Sequence, residues 1–187
     1  MDRKKLREIL DLHAKWYFKR NNRESGGGKR ANFVGMDLRE KDFSNTFLRH
    51  AILTAAFLKN AIFEKADMKS AIMYRACLSG ANFRKAILKR VNLKYADLED
   101  ADLYKADLRE AELHNANLAF TNLCGADLRD ANIENTIFDG ANLKGVMLNR
   151  NQVPDIIKNG GKIADVVLGD DCLRKEIMER IAENESN

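Results

Sequence analysis

The sequence predicts an all-β solenoid, and three observations lead there. In "YADLEDADLYKADLREAELHNANL", residues 95–118, the leucines Leu98, Leu103, Leu108, Leu113 and Leu118 recur every fifth residue. That register runs without a gap from Ala31 to Arg150, as 24 consecutive fives with an apolar residue at every centre. The position two before the centre is Ala in 17 of the 24, and the position between them is Asn or Asp in 14.

The composition of this stretch favours helix, since Ala, Leu, Glu, Lys and Arg dominate it. The period rules helix out. Five residues advance an α-helix by about 500°, so the leucines would scatter around its surface. An uninterrupted strand fails as well, because an odd spacing alternates faces. A short extended piece such as Ala96-Asp97-Leu98, followed by the polar corner Glu99-Asp100, satisfies both constraints. Repeated, it winds the chain around an axis with Ala and Leu inside. Within this scheme Lys41 falls on an inward Ala site, between Met36 and Thr46 at equivalent sites. An unpaired ammonium is costly to bury, so the first coil is expected to be distorted or open there.

The fives "ANFRK", "ADLED", "ADLYK", "ANLAF" and "ANLKG" resemble the A-(D/N)-L-x-x pattern of the pentapeptide repeat family. The entrance "HAKWYFKRNNRESGGGKRANFVGMDL" is also similar to that of family members, so the resemblance spans roughly residues 13–150. It implies a right-handed quadrilateral parallel β-helix of about six coils, with four fives per coil. One column fits a 20-residue coil. The residues after the centre at Arg49, Lys69, Lys89, Arg109, Arg129 and Asn149 are five cations in six.

The flanks complete three expected regions. Residues 1–30 form an N-terminal amphipathic capping helix and Gly-rich turn. Leu6, Ile9, Leu10, His13, Trp16 and Tyr17 make its apolar stripe, and Arg3, Lys4, Lys5, Arg7, Lys15, Lys19 and Arg20 its basic side. Residues 31–150 are the repeat. Residues 151–187 form a C-terminal cap or dimerisation segment opened by Pro154, the only proline. Within it "GGKIADVVLGDD" reads as a short strand. A helix near 171–184 follows, N-capped by Asp170 or Asp171 and lined by Leu173, Ile177 and Ile181. This helical segment either caps the coil or, through 170–184, pairs two copies as a homodimer.

The 187 residues carry a net charge of +4, but residues 1–95 hold +13 and residues 96–187 hold −9. Such asymmetry bears on partners more than on fold. The N-terminus shows no signal-peptide pattern and no run approaches a transmembrane span. Cys77, Cys124 and Cys172 are odd in number and distant, so reduced thiols and a cytoplasmic location are expected.

No constellation for chemistry is found. His50 and His114 are isolated, "SGGGKR" lacks the spacing of a phosphate loop, and the aspartates Asp97, Asp102 and Asp107 are outward repeat positions. No enzyme activity, metal or cofactor is expected. Three surfaces remain as candidates. The partner patch consists of Phe47, Ile52, Phe57, Ile62, Ile72, Cys77 and Ile87, apolar where the repeat prefers Asn or Asp, together with Tyr74. The basic face is Arg49, Lys89 and Arg90, which lack a carboxylate two residues earlier in sequence. The acidic face is Glu99, Asp100, Asp102 and Asp107.

The family resemblance implies a non-catalytic scaffold or protein-interaction module that binds a protein partner through its outer faces. One alternative it implies is a partial DNA mimic that binds a type II topoisomerase and protects gyrase against quinolones. The basic N-terminal half supplies another alternative, binding to a membrane surface or to nucleic acid.

Overall fold

The computed structural model describes residues 1–21 and 28–162, and the short strand at 167–168. The chain opens with helix α1, Arg3–Asn21. Asp2 starts it by accepting the Lys5 backbone N–H at 2.7 Å, and Lys19 and Arg20 close it where the helix dipole favours cations. The stripe read from the sequence faces the repeat. Leu6 and His13 are buried, with Ile9 and Leu10 packed against the same core. The chain then crosses the helix closely. Lys29 donates its N–H to the Leu12 carbonyl at 3.1 Å, and a Cβ on Gly28 would lie 2.1 Å from the Trp16 nitrogen. Only glycine fits there.

From Asn32 onward the chain returns beside itself every 20 residues. Twenty isolated parallel bridges join residues twenty apart, from Asn32 with Ile52 to Asp127 with Met147. Each five uses its backbone in the same way. Around Ile72, the Ile72 N–H donates to Ala51 in the circuit before, and Met73 and Arg75 donate to Asn92 and Lys94 in the circuit after. The Ala76 N–H closes a turn onto the Met73 carbonyl at 3.0 Å. The fifth residue of every five from Gly35 to Gly145 has positive φ, between 53° and 69°. Positive φ at the third position of a turn reverses the chain direction. Eighteen of these residues are not glycine, so the hydrogen bonds of each circuit hold a conformation that L-residues otherwise avoid.

This geometry corrects the expected fold class. The expectation was an all-β solenoid, a right-handed quadrilateral parallel β-helix. Among the described residues the only sheet has two strands, β1 (Met147–Leu148) and β2 (Val167–Leu168), of two residues each. Among the described residues no larger sheet and no barrel is formed. The reason lies in the period itself. A positive φ every five residues ends each extended segment before a strand can propagate, leaving one bridged residue per five. The repeat is therefore a stack of turns joined by single bridges.

The interior is filled as the alternation requires. Every centre residue and nearly every residue at the Ala position is buried. Equivalent centres stack, as Phe43, Phe63 and Phe83 do with ring centroids 4.8 and 4.9 Å apart and planes within 6°. Thr121 and Thr136 replace Ala inside, and their hydroxyls donate to the Leu98 and Leu113 carbonyls at 3.0 and 2.8 Å. Lys41 does not distort its circuit, contrary to one of the two outcomes expected for it. Its bridge and turn bonds are regular, with Asp42 bridged to Ile62 and the Lys41 N–H donating to Leu38 at 3.2 Å. Its side chain is only partly buried because the first circuit is open beside it, where Met36 is also exposed.

The far end is closed by a 3-10 turn, Arg150–Gln152, and helix α2, Val153–Lys158, which carries Pro154 in its first turn. The buried Gln152 amide donates to the Leu128 and Ala131 carbonyls, both at 2.8 Å. It thus satisfies the Ala131 carbonyl, which a further circuit would otherwise meet, and adds a second bond to the Leu128 carbonyl of the turn. Val153 and Ile156 cover the last centres. The strand expected in "GGKIADVVLGDD" is β2, and it pairs Met147 with Val167, again twenty residues on. The helix expected near 171–184 lies outside the described residues.

Candidate functional site

The role of the Asn/Asp position decides what its exceptions mean. In all fourteen fives that have Asn or Asp there, the side-chain Oδ1 accepts the N–H two residues ahead, at 2.8 to 3.4 Å. That N–H is the one backbone donor of the five that no carbonyl serves. The preference is therefore structural, an Asx turn at each corner. Where Ile, Phe or Cys replaces Asn or Asp, the five forgoes this bond.

The eight residues of the apolar patch do not form one surface. Ile52 bridges Ile72, and Phe57 bridges Cys77. These two adjoining columns flank the corner that carries Tyr74. Tyr95 continues the corner in the next circuit, its ring 5.7 Å from Tyr74, with the Arg75 guanidinium over both rings at 5.2 and 5.7 Å. Phe57 and Tyr95 are 51% and 46% exposed. Ile62 and Ile87 bridge in the other two columns, Ile62 between Asp42 and Asn82 and Ile87 between Asp67 and Asp107. Phe47 is covered by α1, with its ring 4.7 Å from Tyr17 and 5.3 Å from Phe18. Tyr95, Arg75 and the exposed Val34 were missed in the sequence because they occupy corner positions. A 20-residue alignment would have placed Arg75 and Tyr95 beside Tyr74, and Val34 two circuits earlier in the same column.

The basic face is paired. Arg49 reaches Asp67 at 2.7 Å, and Lys89 and Arg90 both reach Glu110, at 2.8 and 2.5 Å. Their partners lie in the following circuit, where a search two residues back does not look. These pairs hold the Glu110 carboxyl below its usual range, through Lys89 first and then Arg90. Further along, Arg109 and Arg129 each grip the aspartate two residues before them, at 2.7 Å. The Arg109 bond holds the Asp107 carboxyl low, against its burial.

The acidic face is divided. Asp102 pairs with Arg84 at 2.8 Å and Asp107 with Arg109, on different columns. Glu99 and Asp100, at the corner before Asp102, carry no ion pair among the described residues.

His13 sits fully buried under the helix, accepting the Ala31 N–H on Nδ1 at 3.0 Å and stacked 5.5 Å from Trp16. Burial lowers its pKa, and the Arg49 backbone opposes this. Its part is structural, joining the helix to the repeat. Cys77 and Cys124 are free thiols. Among the described residues no group of three or more His, Cys, Asp or Glu could hold a metal ion, and no helix is long and apolar enough to cross a membrane.

These features define a repeat protein of close-packed interior whose outer columns are varied by substitution at one position of each five. The model of pentapeptide repeats matches eight copies over residues 29–64, 48–84, 86–119 and 106–145. The chain belongs to the pentapeptide repeat family, whose members are generally non-catalytic. No curated protein matches it. Among solved structures it is similar to a pentapeptide repeat protein of the Arabidopsis thaliana thylakoid lumen, at 27% identity over 69% of this chain and 81% of that one, with a TM-score of 0.39. It is also similar to HetL of the cyanobacterium Nostoc, a protein involved in heterocyst differentiation regulation. That match has 26% identity over 63% and 76% of the two chains and a TM-score of 0.33. A third is QnrB1, a plasmid-mediated fluoroquinolone resistance protein, at 17% identity over 82% and 85%, with a TM-score of 0.28.

Proposed function

We propose that this protein is a binding scaffold that captures a protein partner on the edge formed by Ile52, Phe57, Ile72, Tyr74 and Cys77. The observation that supports this reading is the pairing of Ile52 with Ile72 and of Phe57 with Cys77 in adjoining columns around Tyr74. Four fives there forgo the Asx bond, and the side chains that replace it gain nothing from the interior. A contiguous apolar and aromatic edge of this kind is what a partner's apolar side chains bury against. Cys77 is a free exposed thiol, so the reading places the protein in a reducing compartment such as the cytoplasm.

The test compares a Phe57→Asn/Tyr74→Ser double variant with Ile137→Asn, a change at an exposed residue in the far circuits of the Phe57 column. Capture of the partner from source extract, or self-association by sedimentation, should weaken at least about fivefold in the first. It should be unchanged in the second. Equal loss in both, or loss in neither, would discard this edge.

The partial DNA mimic draws less support, because Asp102 and Asp107 are neutralised by arginines and sit on different columns. Gyrase supercoiling with a quinolone present should not be protected by this protein. Protection that vanishes when Glu99, Asp100, Asp102 and Asp107 are neutralised together would reverse the ranking.

A further inference from the structure

We propose that the seam between α1 and the first two circuits, around His50, is a binding site for the phosphate group of a phosphomonoester. Arg20, Arg30, Arg49 and Lys69 all bring positive charge to bear on His50. Arg30 donates its Nε–H to the His50 carbonyl, and Tyr17 stacks on the imidazole at 6.0 Å. Arg49 donates to the Tyr17 hydroxyl at 3.2 Å and to Asp67 at 2.7 Å. Arg20 lies over the Trp16 ring at 5.3 Å. Asp67 is the one carboxylate ion-paired in this group among the described residues, and Arg49 holds it. Arg20, Arg30 and Lys69 make no ion pair among the described residues.

The same column shows what compensation looks like elsewhere. Lys89 and Arg90 share Glu110, Arg109 lies between Asp107 and Asp127, and Arg129 holds Asp127. Arg20, Arg30 and Lys69, with no counter-charge among the described residues, repel one another and focus a positive potential. With Arg49 held by Asp67, the guanidinium groups of Arg20 and Arg30 and the Lys69 ammonium supply the donors for the oxygens of a phosphate dianion. Arg20 is exposed and Arg30, His50 and Lys69 are partly exposed, so solvent reaches all four. Neutralisation from Lys89 onward ends the positive surface within two circuits. That suits one compact dianion rather than the spaced phosphates of a polynucleotide, which need a longer track.

Titration calorimetry on the full chain at matched ionic strength tests the site with inorganic phosphate, phosphoserine and a 12-nucleotide single-stranded DNA. Inorganic phosphate and phosphoserine should both bind, and the His50 ring protons should report a raised pKa when phosphate is present. Arg20→Gln/Lys69→Gln should weaken phosphoserine binding at least about tenfold, while Arg129→Gln, in the compensated part of the column, should change it less than about twofold. The His50 titration is followed in the unaltered protein, so the result does not depend on any variant folding. No heat and no His50 shift at about 10 mM phosphate, a concentration that would saturate even a millimolar site, would overturn the proposal. Equal loss in Arg129→Gln would overturn it too, as would DNA binding without phosphoserine binding.

Discussion

Replacing Ile52 and Ile72 with asparagine separates the structural role of that position from any binding role. Both are mostly buried residues, bridged to one another, that stand where fourteen other fives carry Asn or Asp. Each Asn would place an Oδ1 within reach of an unserved turn amide, Thr54 N–H in one case and Tyr74 N–H in the other. A neutral hydrogen bond of this kind contributes about 0.5–1.5 kcal/mol. Removing an isoleucine that is mostly buried forfeits about 1–2 kcal/mol, somewhat under the range for full burial. The two effects partly cancel at each site, so the double variant should lie within about 2 kcal/mol of the parent. For a chain of this size that is a Tm shift of about 4–8 °C at most. Circular dichroism melts measure the shift, and amide exchange should show Thr54 and Tyr74 newly protected. A Tm fall of more than about 8 °C would refute the reasoning by showing that the isoleucines are structural. Unchanged exchange at both amides would show that the Asx bond does not form there.

Other outcomes follow from the same geometry. Leu103→Ala, in the stacked interior, should cost about 2–5 kcal/mol, and Ala101→Leu about 1–3 kcal/mol by overpacking, both read from chemical denaturation. Lys85 holds φ at 56° on an exposed corner. Lys85→Val should therefore destabilise, because a β-branched side chain tolerates positive φ less well than lysine does, while Lys85→Asn should be neutral or slightly stabilising. Burial lowers the His13 pKa below its unfolded value near 6.5, so below that pH the unfolded chain binds the proton first. The stability it contributes is present above about 6.5 and is lost as pH falls. Melts between pH 7 and 5 should show this slope, and His13→Gln should reduce it to the part due to His50, whose pKa burial and then the neighbouring cations also lower. Asp107 and Glu110 are held low by their cations, so their contribution is present above about 4 and is lost below it. The two declines should be separable in one pH series.

Much of this molecule was written in its period. The uninterrupted fives marked which residues turn inward, because small and large apolar groups two apart cannot both be buried in any other local arrangement. The cation column from Arg49 to Arg129 pointed to a 20-residue return, and the bridges show that spacing. The apolar stripe from Leu6 to Tyr17 located the helix that covers the first circuits. The extent of strand was misjudged from the same letters. Alternation at two residues reads as extended chain, but the positive φ at each fifth residue is a backbone state that the residues there other than Gly, Asn and Asp, such as Lys65, Arg75 and Glu110, do not announce.

The tertiary structure alone decided which surfaces exist. Ion pairs formed between circuits, Arg49 with Asp67 and Lys89 with Glu110, join residues about twenty apart. No local reading of charge finds them. Phe47 and Ile52 are the same kind of exception in sequence, yet α1 covers one and leaves the other beside Tyr74. The sequence determined what each five points inward. What stands next to what outside depends on how successive circuits and the helix come together, because side-chain neighbours across the stack are set by distance in space and not along the chain.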